Sequence, residues 1–351
     1  MNHELFMRRC IELAAKGSGF VAPNPMVGAV LVGNGNIISE GYHKFFGGPH
    51  AEVNALDIVT DRQLLSNITL YVNLEPCSHF GKTPPCANLI ISKGISKVVI
   101  ANTDPNPKVN GNGVKILRDS GVEVITGVLE KEGLELNKRF FTFHTVKRPY
   151  IILKWAQSAD GYIAPLPANN LEHKITWISG ASSRLLVHKW RSEEHSILIG
   201  SNTAKYDNPK LNVRGFEAQN PIRIIFDPNL ELPPTLNIFD HKVKTILFNN
   251  KKSGTQKNLE FVKINKNQNS ISDVLTLLYE RSILSVLVEG GAYTLNKFIK
   301  SGMWDEARVF TGATPLQSGI KSPDFVAQAE ATYKIEMDHL NIYRNFSNNF
   351  N

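Results

Sequence analysis

Two short segments constrain the fold of this chain more than any other feature. They are Pro49-His50-Ala51-Glu52 and Pro76-Cys77-Ser78-His79-Phe80-Gly81-Lys82-Thr83-Pro84-Pro85-Cys86. One imidazole and two thiols, far apart along the chain, can act together only if the fold brings them to one point. Zinc in a catalytic site takes three protein ligands and keeps a fourth position for water. His50, Cys77 and Cys86 supply that number. The ion lowers the pKa of its water toward neutrality, and a neighbouring carboxylate is then needed to move protons. Glu52 lies two residues from His50. Positions i and i+2 of a regular helix point apart. His50 is therefore expected at a helix start, with Glu52 facing the water without binding the metal. Pro84-Pro85 suits a helix beginning at Cys86, and a helix N-terminus favours a thiolate.

Other readings of the same residues exist. A lone His or Cys is more often core filler, and a fourth ligand, His79, would close the site into a structural one. The joint pattern of two prolines ahead of two ligands, with a Glu at the right offset, is far harder to reach by chance. The chain has three cysteines, an odd and low count that makes no disulfide framework and fits a reducing compartment. Cys10, in a helix-like stretch, reads as core filler.

With 351 residues, 42% hydrophobic and 20% charged, the chain has the composition of a two-domain globular protein. Its net charge of +7 points to an anionic partner. The basic residues are dispersed, which favours a phosphorylated small molecule over nucleic acid. No run of roughly 18 apolar residues predicts a transmembrane helix. Met1-Asn2-His3-Glu4 lacks the plan of a signal peptide. The expected location is cytoplasmic.

Helix and strand patterns alternate over the first 145 residues. Helices are expected at 3–16, 50–59, 86–93, 113–119 and, as one long charged element, 129–145. Strands are expected at 27–32, 37–42, 68–74, 97–101 and 122–128, with a hairpin turn at Asn34-Gly35. Lys147-Arg148-Pro149 marks a boundary, because proline disfavours helix before it. A second α/β unit opens at Tyr150, with strands at 150–154, 195–200, 222–226, 244–248, 284–288 and 307–310. Asn249 to Asn269 reads as a loop or weak edge. The C-terminus reads as a polar tail where a final apolar strand would be expected, frayed over 347–351.

The N-terminal half resembles the cytidine-deaminase-like superfamily, whose non-ligand Glu serves as acid and base. The interval between Cys77 and Cys86 departs from the short Pro-Cys-x-x-Cys form. Together with Ala22-Pro23-Asn24-Pro25-Met26-Val27-Gly28, Gly41-Tyr42-His43 and Asp104-Pro105-Asn106-Pro107, it resembles the bifunctional deaminase/reductase family of riboflavin biosynthesis. The resemblance covers nearly the full length. It implies an α/β chain in two domains. Residues 1–146 would be a three-layer α/β/α, zinc-dependent pyrimidine deaminase. Residues 147–351 would be a dihydrofolate-reductase-like, NADPH-dependent reductase. Zn2+ would be held by His50, Cys77 and Cys86, with Glu52 catalytic. Asn24, His43, Ser78 and Lys82 would line the pyrimidine or phosphate site, although Asn24 between prolines also suits a plain turn.

In the second half, Val286-Leu287-Val288-Glu289-Gly290-Gly291-Ala292 is a strand, a glycine turn and a helix start, a shape that admits a phosphate. Lys154-Trp155-Ala156-Gln157-Ser158-Ala159-Asp160-Gly161, and the run from Ser201 to Arg214, resemble the family's reductase motifs. By that resemblance Ala156, Trp177, Thr203 and Asp207 contact NADPH. So do the turn residues Gly291, Ala292, Tyr293, Thr294, Leu295, Asn296 and Lys297. Lys154, Arg191, Leu211, Arg214 and Glu289 hold the substrate, the arginines offering forked donors to a phosphate. Taken singly, Arg191 and Arg214 also suit solvated surface charges. Pro165 to His173, and Ile175, depart from the family pattern. The implied partner is a phosphoribosylaminopyrimidine, without nucleic acid or membrane, and the implied assembly is a homo-oligomer. Two competitors remain. One is an RNA- or nucleoside-acting deaminase with a nucleic-acid-binding second domain. The other is a zinc-stabilised binding module.

Overall fold

The computed structural model describes residues 2–59, 67–78, 84–107, 109–166, 176–264 and 270–346. The chain divides into two compact units, Met1–Arg148 and Pro149–Asn351.

The first unit is built on five strands: β1 (Gly28–Gly33), β2 (Asn36–Tyr42), β3 (Ile68–Leu74), β4 (Lys97–Asn102) and β5 (Glu123–Thr126). Their order is β2-β1-β3-β4-β5, with β1 antiparallel to both neighbours and β3, β4 and β5 parallel. The β1–β2 turn works as its sequence suggests: Asn34 and Gly35 both take positive φ, 51° and 77°. Alternate residues of the strands feed two apolar layers. Ala29, Leu31, Leu70, Val72, Val98 and Ile100 pack under α2 (Ala51–Leu56), α3 (Cys86–Ser92) and α4 (Asn112–Asp119). Val30, Val32, Tyr71, Val99 and Ala101 pack against α1 (His3–Ala15). This is the α/β/α sandwich.

The long helix expected over 129–145 is two helices, α5 (Glu130–Leu136) and α6 (Lys138–Val146). Asn137 breaks it, with φ −100° and ψ 21°. Its side chain accepts from Met26 N at 2.8 Å and donates to Met26 O at 2.9 Å. A helical pattern in sequence cannot reveal this, because the competing partner lies 111 residues away.

The second unit is a ten-stranded sheet. Its strands are β6 (Tyr150–Gln157), β8 (Ser196–Gly200), β9 (Ile222–Phe226), β10 (Thr245–Asn249), β11 (Gly254–Gln256), β12 (Leu259–Lys263), β13 (Ser285–Val288), β14 (Glu306–Thr311), β16 (Ala331–Ile335) and β17 (Asp338–Arg344). They run in the order β11-β12-β10-β9-β8-β13-β6-β14-β17-β16. A separate ribbon pairs β7 (Tyr162–Ala164) with β15 (Ile320–Lys321). The helices are α7 (Ala181–Glu193), α8 (Ser201–Asp207), α9 (Ile271–Glu280) and α10 (Ala292–Ser301). The seven strands from β12 to β14 are mutually parallel, so their C-terminal ends share one edge.

One expectation is extended and one corrected here. The polar stretch after Asn249, read as a loop or weak edge, does supply the edge strand β11, but it also carries β12, parallel to β10. A final strand is present, β17, antiparallel to β14, while the tail at 347–351 lies outside the described residues. The local sequence signal of β17 is weak, because Leu340 is its one fully buried apolar residue, while buried Asp338 caps a helix. The Asp338 carboxylate accepts from Gly180 N at 2.8 Å and from the Ser183 hydroxyl, at the N-terminus of α7.

Candidate active sites

His50 is the residue preceding α2, in extended conformation, and Glu52 sits in the first turn. Gly41 makes that approach possible: a Cβ there would lie 2.5 Å from Ala51 O and Ala55 N. Cys86 opens α3 after Pro85. Cys77 follows the end of β3. The three ligand atoms all lie within 4.8 Å of one another. His50 Nδ1 is 3.2 Å from Cys86 Sγ and 3.7 Å from Cys77 Sγ. A tetrahedral zinc, with bonds of about 2.0 Å to nitrogen and 2.3 Å to sulfur, sets ligand atoms roughly 3.5–3.8 Å apart. One nitrogen and two sulfurs are also the donors zinc prefers, so the residues fit the ion.

The electrostatics agree. The hydrogen bond with Cys86, then that with His50, hold the Cys77 thiol down at about 4. The bond to Cys77 outweighs burial and raises the His50 imidazole to about 9. Cys86 is pushed well up, first by its partner Cys77 and then by burial. His50 and Cys77 thus favour opposite charges side by side, and binding a divalent ion would release the protons of the cluster. Glu52 is fully buried, and burial raises its carboxyl.

Around this centre, Asn24 Nδ2 meets His43 Nε2 at 3.1 Å, and His43 Nδ1 meets Pro49 O at 2.9 Å. The His43 and His50 rings stand edge to face at 5.7 Å. Burial lowers the His43 pKa, which favours the uncharged ring. Ser78 is half-buried beside Cys77. Lys82 and His79 lie outside the described residues.

Sequence reasoning missed the supports of this site. Glu75 is buried and accepts three backbone N–H groups, from Asp104, Gly111 and Val114, each at 3.0 Å. It ties the end of β3, two residues before Cys77, to the start of α4. Gly113 lets α4 close in, since a Cβ there would lie 2.1 Å from Pro76 O. Asn73 accepts from Gly28 N and donates to Met26 O, fixing the segment after Asn24. The available signal was a polar pair, Asn73 and Glu75, at the end of a largely apolar strand.

In the second unit, a cleft of about 1660 Å³ opens at the C-terminal ends of the parallel strands. Open α/β sheets bind ligands there. Of the expected cofactor contacts, Ala156, Trp177, Thr203, Asp207, Gly291, Ala292, Tyr293, Thr294 and Lys297 line it. Leu295 and Asn296 do not. Leu295 faces the core, fully buried, and Asn296 Oδ1 accepts from Asp324 N. Consecutive residues of α10 cannot all face one side. Thr203 Oγ1 accepts from Gly291 N at 3.0 Å, joining α8 to the glycine turn. Arg184, unassigned from sequence, stacks its guanidinium on Trp177 at 4.6 Å.

Of the expected substrate contacts, Lys154, Arg191, Arg214 and Glu289 line the cleft. Leu211 does not: it is 3% exposed and packs with Ile197, Ile199 and Ala204. Arg191 and Glu289 form a bidentate pair, both bonds 2.8 Å, with Lys154 Nζ 3.5 Å from the same carboxylate. Burial alone would push the Glu289 carboxyl up, but Arg191 and Lys154 bring it down to about 2. Arg214 is exposed at the rim, with no carboxylate partner among the described residues.

The comparisons with known proteins agree with this division. Residues 1–102 match the cytidine and deoxycytidylate deaminase zinc-binding region, and 149–324 the RibD C-terminal domain. The riboflavin biosynthesis protein RibD of Aquifex aeolicus is 41% identical over 337 residues, covering 94% of this chain and 92% of its own. That of Bacillus amyloliquefaciens is 39% identical, covering 92% and 88%. Among solved structures, a diaminohydroxyphosphoribosylaminopyrimidine deaminase/5-amino-6-(5-phosphoribosylamino)uracil reductase from Thermotoga maritima superposes with TM-score 0.87 at 38% identity, covering 97% and 98%. Acinetobacter baumannii RibD superposes equally well at 30% identity, with the same coverage.

Proposed function

The chain belongs to the RibD family of riboflavin-biosynthesis proteins, and from that membership we propose the following division of labour. Residues 1–146 hydrolytically deaminate a diaminohydroxyphosphoribosylaminopyrimidine. Residues 147–351 then reduce the ribosyl group of 5-amino-6-(5-phosphoribosylamino)uracil to ribityl with NADPH. The observation carrying this reading is the meeting of His50, Cys77 and Cys86 beside the buried carboxyl of Glu52.

His50 Nδ1, Cys77 Sγ and Cys86 Sγ would hold the zinc, which when bound supplies a water acidic enough to give hydroxide near pH 7. Glu52, its carboxyl raised by burial, would be the group that holds and moves a proton between the attacking water and the departing amine. Asn24 and His43 would orient the pyrimidine edge with Ser78, and the family resemblance adds Lys82, which lies outside the described residues.

In the reductase half, bound NADPH supplies the hydride. Ala156, Trp177, Thr203, Asp207 and the turn from Gly291 to Lys297 position it. Arg191 fixes the Glu289 carboxylate, and Lys154, at a looser 3.5 Å, keeps its ammonium available to a ribosyl oxygen. Arg214, at the rim, offers its fork to the substrate phosphate. A homo-oligomeric enzyme of the cytoplasm completes the proposal; no described helix is long and apolar enough to cross a membrane.

The test supplies the phosphoribosylaminopyrimidine with and without NADPH, following ammonia and NADPH absorbance separately. Ammonia should appear in both arms and NADPH loss only where it is present. Ammonia without any NADPH loss would remove the reductase half.

A further inference from the structure

The segment Lys154 to Gly161 leads from β6 toward β7, yet the cleft takes only its first three residues. Ser158 and Asp160 lie outside the lining. Both are nonetheless fully engaged. The Ser158 hydroxyl donates to Asp160 Oδ1 at 2.6 Å and accepts from Tyr162 N at 2.9 Å. Gly161, at φ 84°, lets the chain double back so that Ser158 N reaches Tyr162 O at 2.8 Å.

The Asp160 carboxylate faces a second, remote segment. Its Oδ1 accepts from Leu316 N at 3.0 Å and its Oδ2 from Gln317 N at 2.7 Å. Those donors lie 156 and 157 residues away in sequence. The segment they hold leads directly into β15. Gly319 then passes so close to β7 that a Cβ there would lie 2.2 Å from Ala164 O. Ile320 pairs with Ala164 and Lys321 with Tyr162. Ile163, Ala164, Pro165, Leu166 and Ile320 form one apolar wall of the cleft.

We propose that Asp160 is a positioning residue for the reductase. By clasping Leu316 N and Gln317 N it sets β15 against β7, and so pre-forms the apolar wall against which the nicotinamide cofactor rests. The ribbon is only two and three residues long, too short to be stable alone. It needs an external tie, and two charge-assisted hydrogen bonds supply one. The Ser158 hydroxyl, together with the backbone donors of Leu316 and Gln317, holds the Asp160 carboxyl below its usual range, which favours the charged form. A wall ordered before binding spares the ligand that cost.

This inference rests on the NADPH reading, and the experiment separates the two. The full-length protein is titrated with NADPH as wild type, Asp160→Asn and Asp160→Ala. Reductase KM and kcat, deaminase turnover and thermal midpoint are measured on the same preparations. Asp160→Ala should raise the NADPH Kd and KM about tenfold, with kcat at saturation within about twofold. Asp160→Asn keeps one acceptor oxygen and should fall between, at about threefold. Deaminase turnover should match wild type in both. Unchanged NADPH affinity in both variants would overturn the inference. So would a loss of kcat and thermal midpoint without any change in KM, which marks a general structural role. If wild type itself binds no NADPH, the cofactor reading fails instead.

Discussion

Arg191 and Glu289 face each other in the cleft through two parallel 2.8 Å hydrogen bonds, both side chains removed from water. Removing one partner from such a pair strands the other charge in the interior, at a cost of about 3–5 kcal/mol. Glu289→Gln should therefore lower the unfolding free energy of the reductase unit by that order. The pH dependence follows from the carboxyl, which falls from 4.5 in the open chain to about 2 in the fold. Its contribution is complete above 4.5 and is lost as pH falls through 4.5 toward 2. Denaturant titrations at several pH values should show this acid loss in wild type and its absence in Glu289→Gln.

His195 behaves in the opposite chemical sense with the same acid sensitivity. Burial, then Lys244, lowers its pKa from 6.5 to about 4, and its Nδ1 accepts from Leu284 N at 3.3 Å. Between those two values the unfolded chain takes up a proton that the fold refuses. Stability should fall as pH drops from 6.5 to 4, at up to about 1.4 kcal/mol per pH unit. His195→Gln keeps an acceptor for Leu284 N. Its stability curve should be flatter over this interval, and an equal slope would refute the assignment.

Glu52→Gln retains shape while removing the proton carrier. Ammonia release should drop by about 100- to 10,000-fold. Elemental analysis should still find the metal, because Glu52 is not one of the three ligands. Reductase turnover should stay at the wild-type rate in the same sample.

Glu75 satisfies three backbone donors two residues ahead of Cys77. Glu75→Ala leaves them unpaired, each worth about 1–3 kcal/mol when buried. The deaminase unit should lose about 3 kcal/mol or more, and its metal affinity should weaken with it. Competition with a chromophoric chelator reads the second effect. Metal affinity equal to wild type would show that the Cys77 segment holds itself in place.

The proposed metal ligands and Glu52 were legible because two short motifs, Pro49 to Glu52 and Pro76 to Cys86, carry their residue types, although the motifs lie far apart along the chain. The strands were legible because short apolar runs, buried on both faces, are a local pattern. So was Asn34-Gly35, where two positive φ values need those residue types. Helix phase, by contrast, separated Leu295 and Asn296 from their cleft-lining neighbours, and core packing took Leu211.

What the chain alone supplied is therefore the proposed donor set and proton carrier, read from two short motifs, and the apolar runs of the strands. What only the tertiary structure decided are the long-range ties. Asn137 ends a helix to hold Met26, Asp338 caps α7, and Glu75 and Asp160 each gather backbone donors from distant loops. A buried or bridging polar side chain has no local signature, because its partner is chosen by the fold and not by its neighbours in sequence.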